Sequence, residues 1–302
     1  MSSIFIQIPS YHDFELRKTI LNIIENSSGE NIINFGVHIT YNKKDEIDVS
    51  DIPNVKFSKS KAPKNLGVGM GRYLANKFYD KEDFYFQIDS HTRLEKNWDK
   101  TLIDCYNKYL SIGYNPVLSA YPAGYRYVDY KVVKDIDPVV SVAGFEKDKS
   151  FLKNYIPHQI AVKNKEKNIF TKSISAAFVF SKGEIAKIEP NKNIFFWGEE
   201  SIMAARLYTH GYDLMLPDQQ VMYHLYFDWD NQIGSQRRVV SNDFPEESIK
   251  LQKISDKEMY RIINFRTIGD QSLGSVRSLA EYEEYAGLDF IGKKIVGTEY
   301  IV

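Results

Sequence analysis

DFYFQIDSH, residues 83–91, is an apolar run of strand length that turns abruptly polar at Asp89, Ser90 and His91. In open α/β sheets ligands sit beyond the carboxyl ends of the strands, so a polar cluster at such an end marks a candidate site. The flanking sequence supplies the rest of the sheet. Ile4 to Ile8 is short, apolar and β-branched and stops at Pro9-Ser10, the pattern of a buried strand entering a loop. Leu16, Ile20, Ile23 and Ile24 follow at helical spacing, and Ile32 to Tyr41 resumes strand character. This β-α-β order predicts a right-handed crossover and a parallel pair.

Downstream, residues 42–65 read mostly as loop, Met70, Leu74 and Phe78 as a helix, and Trp98, Leu102, Cys105, Tyr106 and Tyr109 as a helix with one buried stripe. Strands are expected at Pro116 to Ala120 and Ile174 to Phe180, and a helix from Glu199 to about His210, ended by Gly211. Residues 125–172 are charged and irregular, a place for substrate-specific loops. After Phe244 the apolar pattern thins. The expected organisation is a catalytic domain over residues 1–243 and an extension, 244–302, packed against it.

A chain of 302 residues with 43% hydrophobic content buries a full core. Its 39 basic residues against 40 acidic ones provide no general attraction for a polyanion, which counts against nucleic acid as a partner. The single cysteine, Cys105, forms no internal disulfide and suits a reducing compartment. The start, MSSIFIQIPSY, has neither the basic residues nor the apolar run of a signal peptide or membrane anchor, so a cytoplasmic enzyme without membrane attachment is expected.

Asp89 and His91 stand two residues apart. On an extended strand end their side chains would point the same way and Ser90 the opposite way. A carboxylate oxygen and an imidazole nitrogen together suit Mn2+, which also accepts diphosphate oxygens. Spacing alone equally fits an Asp capping a turn beside an exposed His.

Taken together, FQIDSHTRLEKNWD, FFWGEE and the late histidine of VMYHLY resemble the glycosyltransferases that transfer N-acetylglucosamine to polypeptide hydroxyls, among them the cytoplasmic enzyme that modifies hydroxyproline on a ubiquitin-ligase adaptor. More distantly, DSH, WGEE and the late histidine resemble the polypeptide GalNAc transferases. The similarity extends from IFIQIPSYHD to LGSVRSLAEYEEYAGLDF. It implies a GT-A fold, an α/β architecture with a mixed, mainly parallel sheet flanked by helices. It also implies a UDP-sugar donor, most simply UDP-GlcNAc, and Asp89, His91 and His224 as ligands of Mn2+ or Mg2+.

Further roles follow from the same resemblance. Glu199 or Glu200 would bind the acceptor or take its proton, although two acids opening a helix are also favoured there by the helix dipole. Asp89 would join them as a catalytic residue. Pro9, Ser10 and Tyr11, at the end of the first strand, would receive uracil and ribose, with Tyr11 stacking on the base or serving as an ordinary loop tyrosine. Ser90 would line the same donor site. Arg72 would reach the nucleotide or hold Asp89, or be a solvated arginine. Trp197 reads as core or as a platform under a sugar, and Arg237 and Arg238 as a segment closing over the diphosphate or as surface loop. GVGMGRYLAN (Gly67–Asn76) does not follow a strand directly and so is no dinucleotide fingerprint.

The implied reaction is transfer of a hexose derivative to a hydroxyl of a protein with retention of configuration. A glycan or a hydroxylated base in nucleic acid is the alternative acceptor. A silent sugar-binding scaffold is the alternative outside enzymes; it would require a degenerate metal set or loss of Glu199 and Glu200, and all of these are present.

Overall fold

The computed structural model describes residues 1–42, 47–135, 140–145, 159–163, 168–226, 240–267 and 269–296. The chain opens with strand β1 (Ser3–Tyr11), helix α1 (Leu16–Asn26) and β2 (Ile32–Tyr41), followed by β3 (Val55–Lys61), α2 (Val68–Asn76) and β4 (Phe84–Ile88). Next come β5 (Thr92–Leu94), α3 (Trp98–Ser111), β6 (Pro116–Leu118), β7 (Ala123–Val128), β8 (Lys131–Lys134), β9 (Val140–Phe145) and β10 (Gln159–Lys163). The remainder contains β11 (Phe178–Lys182), α4 (Glu199–Thr209), β12 (Asp213–Met215), β13 (Met222–His224), α5 (Val240–Asp243), α6 (Pro245–Ile263) and α7 (Leu279–Ala286).

Seven strands form the central sheet in the order β12-β6-β11-β4-β1-β2-β3. β1 is parallel to both β2 and β4, as the β-α-β order predicts, and β11 alone runs antiparallel to its neighbours. Alternation along β1 sends Ile4, Ile6 and Ile8 to one face, where they meet Leu16, Ile20 and Ile23 of α1 and Trp98, Leu102 and Cys105 of α3. Ile24, expected in that stripe, is instead 39% exposed. Phe5 faces the other way and joins Tyr85, Ile202 of α4, Met259 and Ile262 of α6, and Tyr282 of α7.

Three stretches differ from expectation. The segment 42–65 carries β3, a strand whose sequence VKFSKSK conceals it because an edge strand keeps much of its length in water and is often rich in lysine. Within 125–172, β7 and β8 form an antiparallel hairpin, and β9 and β10 pair with each other. The thin apolar pattern after Phe244 proves sufficient for α6, a helix of 19 residues with Met259, Ile262 and Ile263 fully buried. Proline at its start fits the first helical turn, where the missing amide hydrogen has no partner to lose.

A second, four-stranded sheet, β5-β13-β7-β8, adjoins the first. Its β5–β13 register is decisive for the site, because it sets His224 opposite Thr92, one residue after His91.

Candidate active site

Asp89, Ser90 and His91 occupy the bend between β4 and β5, not an extended strand, so side-chain alternation does not place them. Hydrogen bonds hold the bend: Thr92 Oγ1 donates to the Asp89 carbonyl at 2.9 Å, and Thr19 Oγ1 of α1 donates to the Ser90 carbonyl at 2.7 Å. Asp89 and His91 still converge. The Leu225 amide donates to the His91 carbonyl, fixing the end of β13 against the bend. His91 Nε2 then lies 3.0 Å from His224 Nε2, and Asp89 Oδ2 lies 3.2 Å from His224 Nε2 and 3.9 Å from His91 Nε2.

The ligand atoms of Asp89, His91 and His224 thus all fall within 4.8 Å of one another. Both imidazoles are buried, and the carboxylate remains partly open to the cavity. Two nitrogens and one oxygen, facing inward and incomplete as a coordination shell, fit a borderline divalent cation that takes further oxygens from a ligand.

Asp13, the last residue of the IFIQIPSYHD string, extends this cluster, although no role for it follows from the sequence. It lies 4% exposed beyond β1, where its Oδ2 accepts hydrogen bonds from His91 Nδ1 and Ser90 Oγ, both at 2.6 Å, while Oδ1 accepts the Glu15 amide. Burial alone would raise its pKa, but the adjacent His91 and these hydrogen bonds bring it down to about 2. Adjacency of β1 and β4 was the available clue, since it sets their carboxyl ends side by side.

Arg72 links the cluster to α4. It is 1% exposed; its Nη2 donates to Asp89 Oδ1 at 2.8 Å and its Nε to Glu199 Oε1. Burial works against ionisation of Asp89, yet the contacts with His224 and Arg72 hold its carboxyl well below the usual range. Arg72 reaches this position because α2 packs closely on residues 191–195: a Cβ on Gly69 would lie 2.3 Å from the Ile194 carbonyl oxygen. The glycines of GVGMG therefore serve close helix packing.

The two glutamates that open α4 are oriented differently. Glu199 turns to Arg72, whereas Glu200 accepts the Ala176 amide at 2.9 Å and the Tyr121 hydroxyl at 2.8 Å. Burial pushes Glu200 up to about 7 despite those two bonds, and the charges of Glu199 and Asp89 add to the rise. For Tyr121, as for Asp13, no role follows from the sequence.

Beside the cluster opens a cavity of about 300 Å³ whose walls include Pro9, Ser10, Tyr11, Asp89, Ser90 and His91. Phe195, Phe196 and Trp197 line another side. Trp197 is 52% exposed and packs edge-on against Phe196, so it is not core. Tyr11 donates its hydroxyl to Asp243 of α5 at 2.8 Å, and Val240 and Ser241 of that helix line the cavity as well. Ser90, also on the wall, is engaged by Asp13. Arg237 and Arg238 lie outside the described residues.

A mainly parallel sheet with a polar cluster and a cavity at its carboxyl ends is the arrangement expected of a GT-A fold. The structure is similar to the crystal structure of GalNAc-T7 with UDP, GalNAc and Mn2+ at a TM-score of 0.55 and 11% identity, covering 94% of this chain and 54% of that one. It spans about half the length of that relative. It is also similar to S. aureus TarS 1–349 in complex with UDP-GlcNAc, with a TM-score of 0.48 and 14% identity over 97% of this chain and 72% of that one. A search of curated proteins returns no match. The model of the family described as Glycosyltransferase (GlcNAc) matches residues 51–292, and the chain belongs to that family. Among the described residues, no helix is long and apolar enough to cross a membrane.

Proposed function

We propose that this glycosyltransferase takes a UDP-sugar, UDP-GlcNAc foremost, and transfers the sugar with retention to a hydroxyl of a polypeptide, in a reaction dependent on Mn2+ or Mg2+. The observation that carries this reading is the convergence of Asp89, His91 and His224 beside the cavity formed by Pro9, Ser10 and Tyr11. Those three residues hold the cation, with Pro9, Ser10, Tyr11 and Ser90 along the nucleotide. A cation bound there neutralises charge developing on the departing diphosphate.

The chain's own residues perform the remaining work. Arg72 keeps Asp89 ionised and fixed, and its bond to Glu199 ties the strand end to α4. Glu200 is the better placed of the two glutamates to accept the proton of the acceptor hydroxyl. Its acidity is tuned close to neutrality, the range in which a carboxyl exchanges a proton readily, while Glu199 is committed to an arginine. The exposed pair Phe196 and Trp197 offers apolar faces at the mouth for a sugar or peptide side chain.

In this reading residues 1–243 are the catalytic domain and 244–302 an extension that completes one face of its core. The single Cys105, buried and with no second cysteine to pair with, favours the cytoplasm in this reading. UDP release from UDP-GlcNAc, measured with and without Mn2+ and followed by mass spectrometry of candidate acceptors, tests the proposal. Release unaffected by chelator would rule out the cation, and release from another UDP-sugar alone would rule out the donor.

A further inference from the structure

We infer that Asp13 is a positioning residue, which locks His91 in the tautomer and orientation required to ligate a cation through Nε2. The inference rests on the cation site proposed above. It comes from three observations made at Asp13 and His91 themselves.

The first is the short contact between Asp13 and His91. An ionised carboxylate only accepts, so the 2.6 Å contact between Asp13 Oδ2 and His91 Nδ1 places the proton on Nδ1. In the neutral ring, Nε2 then carries the lone pair, and Nε2 is the atom that faces His224 Nε2 and Asp89 Oδ2. A histidine that ligates a metal through one nitrogen and donates its other N–H to a carboxylate is fixed in rotation and made more basic.

The second is the construction of the Asp13 carboxylate. Both oxygens are engaged, Oδ2 by His91 and Ser90 and Oδ1 by the Glu15 amide at the start of α1, so the group is held in place on the cavity wall. The third is the placement of Ser90. Its hydroxyl bonds the same Oδ2 that His91 uses, which makes the Ser90–His91 pair one unit clasped by Asp13. Asp13 lies before residue 51, where the matched family span begins.

Mn2+ affinity provides the test, measured by electron paramagnetic resonance on the full chain without sugar donor. Asp13→Asn should weaken Mn2+ binding by roughly 10- to 100-fold, the usual cost of losing a partner behind a metal ligand. In a His91→Ala background the same change should cost less than about twofold, because Asp13 acts through the ring that is gone. A general structural role would instead give the same loss in both backgrounds. That result, or an Asp13→Asn affinity equal to wild type, overturns the inference. Nitrogen-15 NMR of the metal-free wild type at mildly alkaline pH reads the tautomer directly and needs no variant to fold. His91 protonated at Nδ1 supports the role of Asp13, and protonation at Nε2 overturns it. If wild type binds no Mn2+ at all, the cation site itself has failed, and that result is distinct from a cation site that ignores Asp13.

Discussion

The two sides of the site treat their carboxylates in opposite ways. Around Asp89, each acid is surrounded by donors: buried Asp13 by His91, Ser90 and a backbone amide, and half-buried Asp89 by Arg72 and His224, so both remain ionised. At the start of α4, burial prevails. Glu199 is raised even with Arg72 against it, and Glu200 reaches about 7 with one amide and one hydroxyl as partners. The difference teaches that depth does not set the charge of these groups. The number and sign of the donors does, and fixed negative charge around Asp89 thereby stands near an exchangeable proton at the start of α4.

The largest effect is expected on the Asp89 side. Asp89→Ala should lower turnover by roughly a thousandfold, the scale of several kcal/mol of lost charge stabilisation, and abolish Mn2+ binding seen by calorimetry. Turnover within tenfold of wild type would remove Asp89 from the reaction.

On the other side, Glu200→Gln should reduce kcat about a hundredfold while UDP affinity changes by less than about twofold. The same variant tests the raised pKa. The folded chain holds the Glu200 proton from the ordinary 4.5 up to about 7, so wild-type stability declines as pH rises through that window, and the glutamine variant lacks this component. Urea melts with the same pH dependence in both chains would show that Glu200 is not perturbed.

Gly69→Ala probes the packing that delivers Arg72 to both sides. With a backbone oxygen 2.3 Å from the new methyl, α2 must shift, and a loss of about 2 kcal/mol by thermal or urea unfolding is expected. An alanine variant as stable as wild type would mean that α2 is not confined by residues 191–195.

The smallest effect concerns a histidine outside the comparison. His38 on β2 is 1% exposed, with Ser58 Oγ 2.7 Å from Nδ1, and burial lowers its pKa from 6.5 to about 4. The unfolded chain takes up this proton near pH 6.5 and the folded chain only near 4, so stability falls as pH drops between them. By about pH 5.5 the cost is roughly 1 kcal/mol, and His38→Gln should remove it from the unfolding curve. Equal acid sensitivity in both chains would contradict the assignment.

The sequence by itself determined the β-α-β start, the stripe of α3 from Trp98 to Tyr109, and the strand ending at Asp89, because periodic apolar residues are a local record of which face is buried. It also brought Asp89, His91 and His224 together as one set through motif resemblance. It was silent on β3 and α6, whose exposed faces dilute the apolar pattern. Tertiary structure alone decided the geometry of the site. The β5–β13 register carries His224 across 133 residues to His91, the pairing of β1 with β4 sets Asp13 behind that ring, and the first turn of α4 separates Glu199 from Glu200. The physical reason is that hydrogen bonds between distant segments depend on sheet register and helix rotation, and these are fixed only when the whole core is packed.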